Sequence, residues 1–142
     1  MVAILLMDDD DAFASVLSET LEHAGHDVTV ARSATEAIQV IQAKTFDILL
    51  TDLIVYDGKR PVPDGGISLI TKLRGPGNRK FDPWVRDMPI IAISGTIHNP
   101  GMSDILKTAK ALGADFALGK PTDTRDLLHA IDTLTKRMKR RN

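Results

Sequence analysis

Residues 46–52 read Phe46-Asp47-Ile48-Leu49-Leu50-Thr51-Asp52, a short apolar run that ends in a single carboxylate. Polar residues precede the run, and a tract rich in glycine and proline follows it. An apolar run of this length between turn-forming residues predicts a strand that is buried on both faces of a sheet. Asp52 then lies at the carboxyl end of the strand, where open parallel α/β sheets bind ligands. Taken alone, Asp52 is better explained as a solvated turn residue, and it is the other polar residues at the same edge of the sheet that favour a binding site.

The rest of the chain alternates predicted strands with predicted helices. The first helix has Asp10 or Asp11 as a candidate N-cap, and the second begins with the capping box Ser33-Ala34-Thr35-Glu36. Strict βα alternation predicts a parallel sheet with right-handed crossovers and helices on both faces. For five strands the common order is 2-1-3-4-5, with a crevice between the first and third strands. The four other predicted strands are residues 2–7, 28–30, 90–93 and 116–118.

Composition excludes several classes of function. The 142 residues suffice for one domain with a core, and the net charge of −1 does not indicate a nucleic-acid binder. The absence of cysteine excludes disulfides, thiolate metal sites and a cysteine nucleophile, and it fits a reducing compartment. The apolar start at residues 1–7 lacks a basic region and runs directly into four aspartates, so we expect no signal peptide. We expect a cytoplasmic protein that makes no membrane contact.

Five polar residues follow the predicted strands at one edge of the sheet: Asp8, Asp9, Asp52, Ser94 and Lys120. Three neighbouring carboxylates repel one another, so a cation among them is expected, and an all-oxygen site suits Mg²⁺ or Mn²⁺. Ser94 and Lys120 supply donors that suit the oxygens of a phosphoryl group. Asp52 would be the nucleophile, and Asp8 and Asp9 would hold the metal. Each residue also has a purely structural interpretation, as a helix cap, a turn serine or a surface lysine.

The sequence is similar to the receiver domain of bacterial two-component response regulators, over nearly the whole chain. The resemblance implies a doubly wound, flavodoxin-like (βα)5 fold, and a stand-alone receiver that occupies residues 1–142. The motifs that carry it are Ile4-Leu5-Leu6-Met7-Asp8-Asp9-Asp10, Asp47-Ile48-Leu49-Leu50-Thr51-Asp52-Leu53, Pro89-Ile90-Ile91-Ala92-Ile93-Ser94-Gly95, Gly113-Ala114-Asp115 and Gly119-Lys120-Pro121.

The resemblance implies that Asp52 accepts a phosphoryl group from a histidine kinase or a histidine phosphotransfer protein. Asp9 would bind Mg²⁺ directly, Asp8 would bind it largely through water, and the Ile54 carbonyl would complete the metal site. The implied activity is self-directed phosphotransfer and autodephosphorylation, and the output is contact with an unknown downstream protein. A phosphorylation-dependent dimer stays open. The implied phosphate-binding residues are Leu53, Ser94, Gly95 and Lys120, and the bond before Pro121 is expected to be cis.

The chain departs from the family pattern at several places. The loops at about 53–64 and 75–88 are enlarged, and we expect both to flank the third helix beside the site. Their basic residues and Trp84 suggest partner recognition, and an inert elaboration of the surface is the equally weighted alternative. Ala117 stands where the family usually has an aromatic residue, and Phe116 should lie on the opposite face of its strand. The basic tail at about 136–142 is interpreted as a cationic helix end rather than a nucleic-acid site.

Three alternative functions remain. A pseudo-receiver would bind partners without phosphorylation, but the complete set of Asp9, Asp52, Ser94 and Lys120 argues against it. A haloacid-dehalogenase-like phosphatase needs a second aspartate two residues after the nucleophile, where Ile54 stands. A flavodoxin-like cofactor protein needs a phosphate-binding loop after the first strand, where four aspartates would repel a phosphate.

Overall fold

The computed structural model describes residues 2–53, 55–57, 60–62, 65–94, 102–119 and 123–141. The strands are β1 (Ala3–Met7), β2 (Asp27–Ala31), β3 (Ile48–Asp52), β4 (Val55–Asp57), β5 (Arg60–Val62), β6 (Ile90–Ser94) and β7 (Phe116–Gly119). The helices are α1 (Asp11–His23), α2 (Ala34–Ala43), α3 (Gly66–Arg74), α4 (Pro83–Asp87), α5 (Met102–Leu112) and α6 (Thr124–Arg141), with a 3-10 turn at Asn78–Lys80. None of the described helices is long and apolar enough to span a membrane.

Five parallel strands form the central sheet in the order β2-β1-β3-β6-β7. This order confirms the predicted 2-1-3-4-5 topology, because β6 and β7 are the fourth and fifth strands of this sheet. β3 lies between β1 and β6, and the side chains of Ile48, Leu49 and Leu50 are fully buried. The apolar run therefore forms the strand on which the predicted site depends.

Two apolar cores cover the two faces of the sheet, as strand alternation requires. Ile48 and Leu50 point towards one core, which includes Leu17 of α1 and Ile131 of α6. Leu49 points towards the other core. That second core contains residues from the remaining helices, among them Ala37, Leu69, Val85 and Ala109. The sheet is therefore packed between helices on both sides, as predicted.

Two helix starts confirm the predicted caps. The carboxylate of Asp10 accepts a hydrogen bond from the Phe13 N–H at 3.0 Å, and the Ser33 hydroxyl accepts one from the Glu36 N–H at 3.1 Å. The Glu36 carboxylate reaches back to the N–H of Arg32 at 3.3 Å. Both helices therefore begin where the sequence predicts, with donors of the first turn satisfied.

The two enlarged loops contain more regular structure than the sequence predicts. The first includes the antiparallel hairpin β4–β5, in which Val55 pairs with Val62 and Asp57 pairs with Arg60. The second contains the 3-10 turn and α4. The prediction that both loops lie beside the site is wrong for residues 75–88. Because β3 and β6 are parallel, the chain returns to the amino edge of the sheet before β6 begins, and Trp84 and Asp87 there line a cleft with Asp47. This segment therefore lies at the edge opposite Asp52.

Candidate functional site

Three carboxylates meet at the carboxyl edge of the sheet. Asp8 and Asp9 follow β1, and Asp52 is the last residue of the adjacent strand β3. One ligand oxygen from each residue lies within 4.8 Å of the others. Asp8 is 1% exposed and Asp52 is 6% exposed, while Asp9 is half-buried. The structure thus brings together the three acidic residues that the sequence predicts at this crevice.

The four consecutive aspartates have different structural roles. The Asp8 carboxylate accepts a hydrogen bond from the Asp10 N–H at 2.9 Å, and the Asp8 N–H donates to the Ala31 carbonyl at 2.9 Å. Asp10 caps α1, and Asp11 forms an exposed ion pair with Arg32 at 3.2 Å. The capping interpretation therefore applies to Asp10, whereas Asp8 and Asp9 belong to the carboxylate cluster.

The start of α3 packs closely against the backbone of Asp52. A Cβ atom on Gly66 would lie 2.0 Å from the Asp52 carbonyl oxygen, so only glycine fits at this position. The Ile67 N–H donates to the Leu53 carbonyl at 3.2 Å, which ties α3 to the end of β3. The sequence pattern did not predict this role for Gly66. The consecutive glycines at 65 and 66, the N-cap and first residue of α3, were the available signal.

Leu53 does not fit its expected role as a phosphate-binding residue. Its backbone N–H donates to the carbonyl of Ile93 at 2.9 Å, within the edge of the sheet. Its apolar side chain is 1% exposed. The structure therefore gives no support for Leu53 as a donor to a phosphoryl group.

Ser94 ends β6 beside the carboxylate cluster. It is buried, and its register partner on β7 is Gly119. Asp52 pairs with Ile93, so Ser94 follows one residue beyond it on the adjacent strand. The expected roles of Ile54, Gly95, Lys120 and Pro121 concern residues outside the part of the chain that the structure describes, and these roles stay predictions.

The cluster fits a hard divalent cation. All three side chains offer oxygen ligands, and two of them are buried, where their mutual repulsion is poorly screened by water. Mg²⁺ and Mn²⁺ prefer such oxygen ligands, and Mg²⁺ usually binds through one or two carboxylates with waters and a phosphate completing its shell. Asp8, Asp9 and Asp52 are the residues that would hold the metal here.

Phe116 lies on the face of β7 that the sequence predicts. It packs against the core formed with α1 and α6, with the guanidinium of Arg137 at 6.0 Å from its ring centroid. Ala117 pairs in register with Ala92, which belongs to the opposite core. The aromatic ring on this strand is thus on the face away from Ala117.

Comparisons with known proteins agree with this geometry. The family described as the response regulator receiver domain matches residues 4–132. The response regulator receiver protein CpdR of Brucella abortus is 31% identical over 134 residues, which cover 94% of this chain and 97% of CpdR. The DNA-binding transcriptional regulator NtrC of Rhizobium meliloti is 30% identical over 97% of this chain, but the match spans 25% of NtrC.

A solved structure shows the same fold. The CheY-like response regulator receiver domain protein from Methanospirillum hungatei has a TM-score of 0.70 and 28% identity, and the match covers 97% of each chain.

Proposed function

Because this chain belongs to the response regulator receiver domain family, we propose that it receives a phosphoryl group on Asp52. The observation that carries the proposal is the carboxylate cluster, in which Asp52 lies within 4.8 Å of Asp8 and Asp9. The donor is the phosphohistidine of a histidine kinase or of a histidine phosphotransfer protein. Residues 1–142 act as one receiver domain that signals through contacts with a downstream protein.

The chemistry follows from the position of Asp52. A carboxylate oxygen of Asp52 attacks the phosphorus atom, the bond from phosphorus to the donor imidazole nitrogen breaks, and the electron pair stays on the imidazole. The product on this chain is an acyl phosphate. A bound divalent cation supplies charge neutralisation for the phosphoryl oxygens. Asp8, Asp9 and Asp52 would hold that cation, and the Ile54 carbonyl would be a further ligand.

Ser94 and Lys120 complete the proposed phosphoryl site. Ser94 is buried at the end of the strand next to Asp52, where its hydroxyl can donate to a phosphoryl oxygen. Lys120 follows Gly119, the register partner of Ser94, and would neutralise a second oxygen. Gly95 would donate through its backbone N–H, and Pro121 would follow a cis bond.

The phosphorylation test uses two matched asparagine variants. The chain is incubated with Mg²⁺ and acetyl phosphate, and its intact mass is measured. Wild type should gain one phosphate, and Asp52→Asn should gain none. Asp47→Asn makes the same change at the other end of β3, where the Asp47 side chain accepts the Ala3 N–H, and should still gain one phosphate. A phosphate on Asp52→Asn would refute the assignment.

The metal assignment is tested separately at the aspartate run. Asp9→Asn removes a charge from the cluster, and we expect its Mg²⁺ affinity to fall by more than about tenfold, together with loss of phosphorylation. Asp10→Asn keeps the helix cap, because asparagine also caps well, and it should bind Mg²⁺ like wild type. Isothermal titration calorimetry measures both affinities. Unchanged Mg²⁺ binding by Asp9→Asn would place the metal elsewhere.

A further inference from the structure

A groove crosses the amino edge of the sheet, opposite the carboxylate cluster. Its first part is a cleft of about 600 Å³ between the end of α2 and residues 80–85, and its lining includes Ile41, Lys44, Lys80, Asp82, Trp84 and Val85. Its second part, of about 320 Å³, shares Trp84 and is lined by Phe46, Asp47, Asp87 and Met138 among others. We call these two clefts together the amino-edge groove.

The wall of the groove is fixed by Arg74 at the end of α3. Its guanidinium donates to the carbonyls of Arg86, Met88 and Gly113, and it lies 3.7 Å from the Asp115 carboxylate. Val85 is 2% exposed and packs in the core. The groove is therefore formed in the free protein, which reduces the ordering cost of binding.

The charges of the groove differ on the two sides of Trp84. The first cleft has charges of both signs, because Lys80 and Asp82 line it together with Lys44, whose ammonium pairs with the Asp27 carboxylate at 3.1 Å. Asp47 and Asp87 line the second cleft, so that side is negative. The half-buried indole between the two sides offers an apolar surface.

We propose that the amino-edge groove binds a peptide segment of a partner protein. The segment has an acidic residue for Lys80, an apolar residue against Trp84, and a basic residue for Asp47 and Asp87. Tryptophan is a frequent anchor of protein interfaces, and complementary charges fix the direction of the bound chain. The three aspartates around Trp84 repel the uniform negative charge of a nucleic acid backbone, so the charge pattern favours a peptide.

Trp84 is the only tryptophan, so its fluorescence reports directly on the groove. The probe is a synthetic peptide with two glutamates, a leucine and two lysines in that order, between neutral flanks. Wild type should show a saturable blue shift of Trp84 emission. A peptide of the same composition with the leucine moved to one end should bind at least about fivefold more weakly, because the anchor no longer lies between the charges.

Two charge reversals in one turn provide the matched variants. Lys80→Glu reverses a cleft charge and should weaken the probe at least about fivefold. Arg79→Glu makes the same change at the neighbouring residue, which is not among the described residues lining either cleft, and should change affinity less than about twofold. Circular dichroism of both variants checks that the fold is retained.

Three results would overturn the proposal. The first is an equal loss of affinity in Arg79→Glu and Lys80→Glu, which would show attraction by net charge alone. The second is tighter binding of a thymidine dodecamer than of the peptide, which would make the groove a nucleic-acid site. The third is the absence of a saturable shift with the peptide at millimolar concentration.

Discussion

Gly66 controls how closely α3 approaches the carboxylate cluster. A Cβ atom there would lie 2.0 Å from the Asp52 carbonyl oxygen and 2.8 Å from the Thr51 hydroxyl oxygen. The nearer atom belongs to backbone within the sheet, so the clash cannot be relieved by rotating a side chain. The position of Asp52 therefore depends on the absence of a side chain at residue 66.

Gly66→Ala should lower the free energy of unfolding by about 2 kcal/mol and slow the phosphorylation of Asp52, because the β3–α3 junction must open. Urea denaturation and intact mass measure the two effects. The control is Gly25→Ala, where φ is 95° and no atom lies within 4 Å of the added Cβ. It should cost about 1 kcal/mol from left-handed backbone strain and leave phosphorylation unchanged. Wild-type stability in Gly66→Ala would contradict this account of α3.

The sequence predicts the carboxylate cluster, but it does not predict the packing role of Gly66. Asp8, Asp9 and Asp52 were predicted to meet because strands of known direction end at the same edge. Gly66 was not, because its role depends on how closely one backbone approaches another, and a sequence pattern does not record that distance. Leu53 was misassigned for a similar reason, since the partner of its N–H is on another strand.

His26 makes the contact at the start of β1 sensitive to pH. Its Nδ1 accepts a hydrogen bond from the Val2 N–H at 3.3 Å. Burial first, and then the positive charge of the amino terminus, lower the pKa of His26 below its ordinary value of 6.5. The stabilisation is therefore fully present above the unfolded-state pKa and is lost as the pH falls below it towards the folded-state pKa.

We expect the free energy of unfolding to fall between about pH 7.5 and about pH 5.5, in part because His26 takes up a proton on unfolding. His26→Asn should show a smaller decrease over this range. His129→Asn makes the same substitution at an exposed residue of α6 and should keep the wild-type slope. Urea denaturation at several pH values measures the slopes, and identical slopes for His26→Asn and wild type would exclude this role of His26.

At the scale of secondary-structure elements, one arginine joins three parts of the chain. Arg74 ends α3, and its guanidinium bonds to carbonyls of the segment that follows α4 and of the turn after α5. Its side chain is 19% exposed, so these hydrogen bonds are largely shielded from water. Asn78 adds a bond from its side-chain amide to the Leu73 carbonyl at 3.1 Å. Residues 75–88 are therefore an anchored part of the fold.

Arg74→Met should lower the free energy of unfolding by about 2 kcal/mol, because buried carbonyls lose a charged donor while the volume is nearly kept. Trp84 emission should shift to longer wavelength as α4 loosens. Arg79→Met, at an exposed arginine in the same segment, should change stability by less than about 0.5 kcal/mol. If the two methionine variants were equally stable, Arg74 would not be the anchor.

The elements that the sequence missed are short. β4 and β5 have three residues each, and Pro61 interrupts the strand pattern of β5. α4 has five residues, too few to show a helical period, although Asp82-Pro83 is a typical helix start. The apolar runs, such as residues 90–93, were predicted because burial on both faces of the sheet requires them.

At the scale of the whole molecule, the two edges of the sheet carry different sites. The five residues of β3 span about 17 Å between the amino-edge groove and the carboxylate cluster. Residues 75–88 were predicted to lie beside the site because they follow α3, which begins next to Asp52. The helix carries the chain away from Asp52 before this segment begins. The hairpin β4–β5 follows Asp52 closely and begins three residues after it.

We expect a beryllofluoride mimic with Mg²⁺ to slow amide exchange in residues 55–57 and 60–62, because binding fixes the chain directly after Asp52. Exchange in residues 78–87 should stay unchanged, since Arg74 already anchors that segment. Hydrogen exchange with mass spectrometry compares the two regions, and Asp52→Asn serves as the control that should respond in neither. Slower amide exchange confined to residues 78–87 would show that this segment, and not the hairpin β4–β5, responds to the mimic.

The pairing of β3 with β6 also affects how the chain folds. Leu49 pairs with Ile90, 41 positions later (90 minus 49), whereas Ile91 pairs with Phe116 only 25 positions later (116 minus 91). Closing the longer loop costs roughly 0.4 kcal/mol more in chain entropy, or about a factor of two in rate. The hairpin and α4 thus lengthen this crossover at little kinetic cost. The segment between β3 and β6 can therefore accept insertions that add new surface to the protein without preventing it from folding.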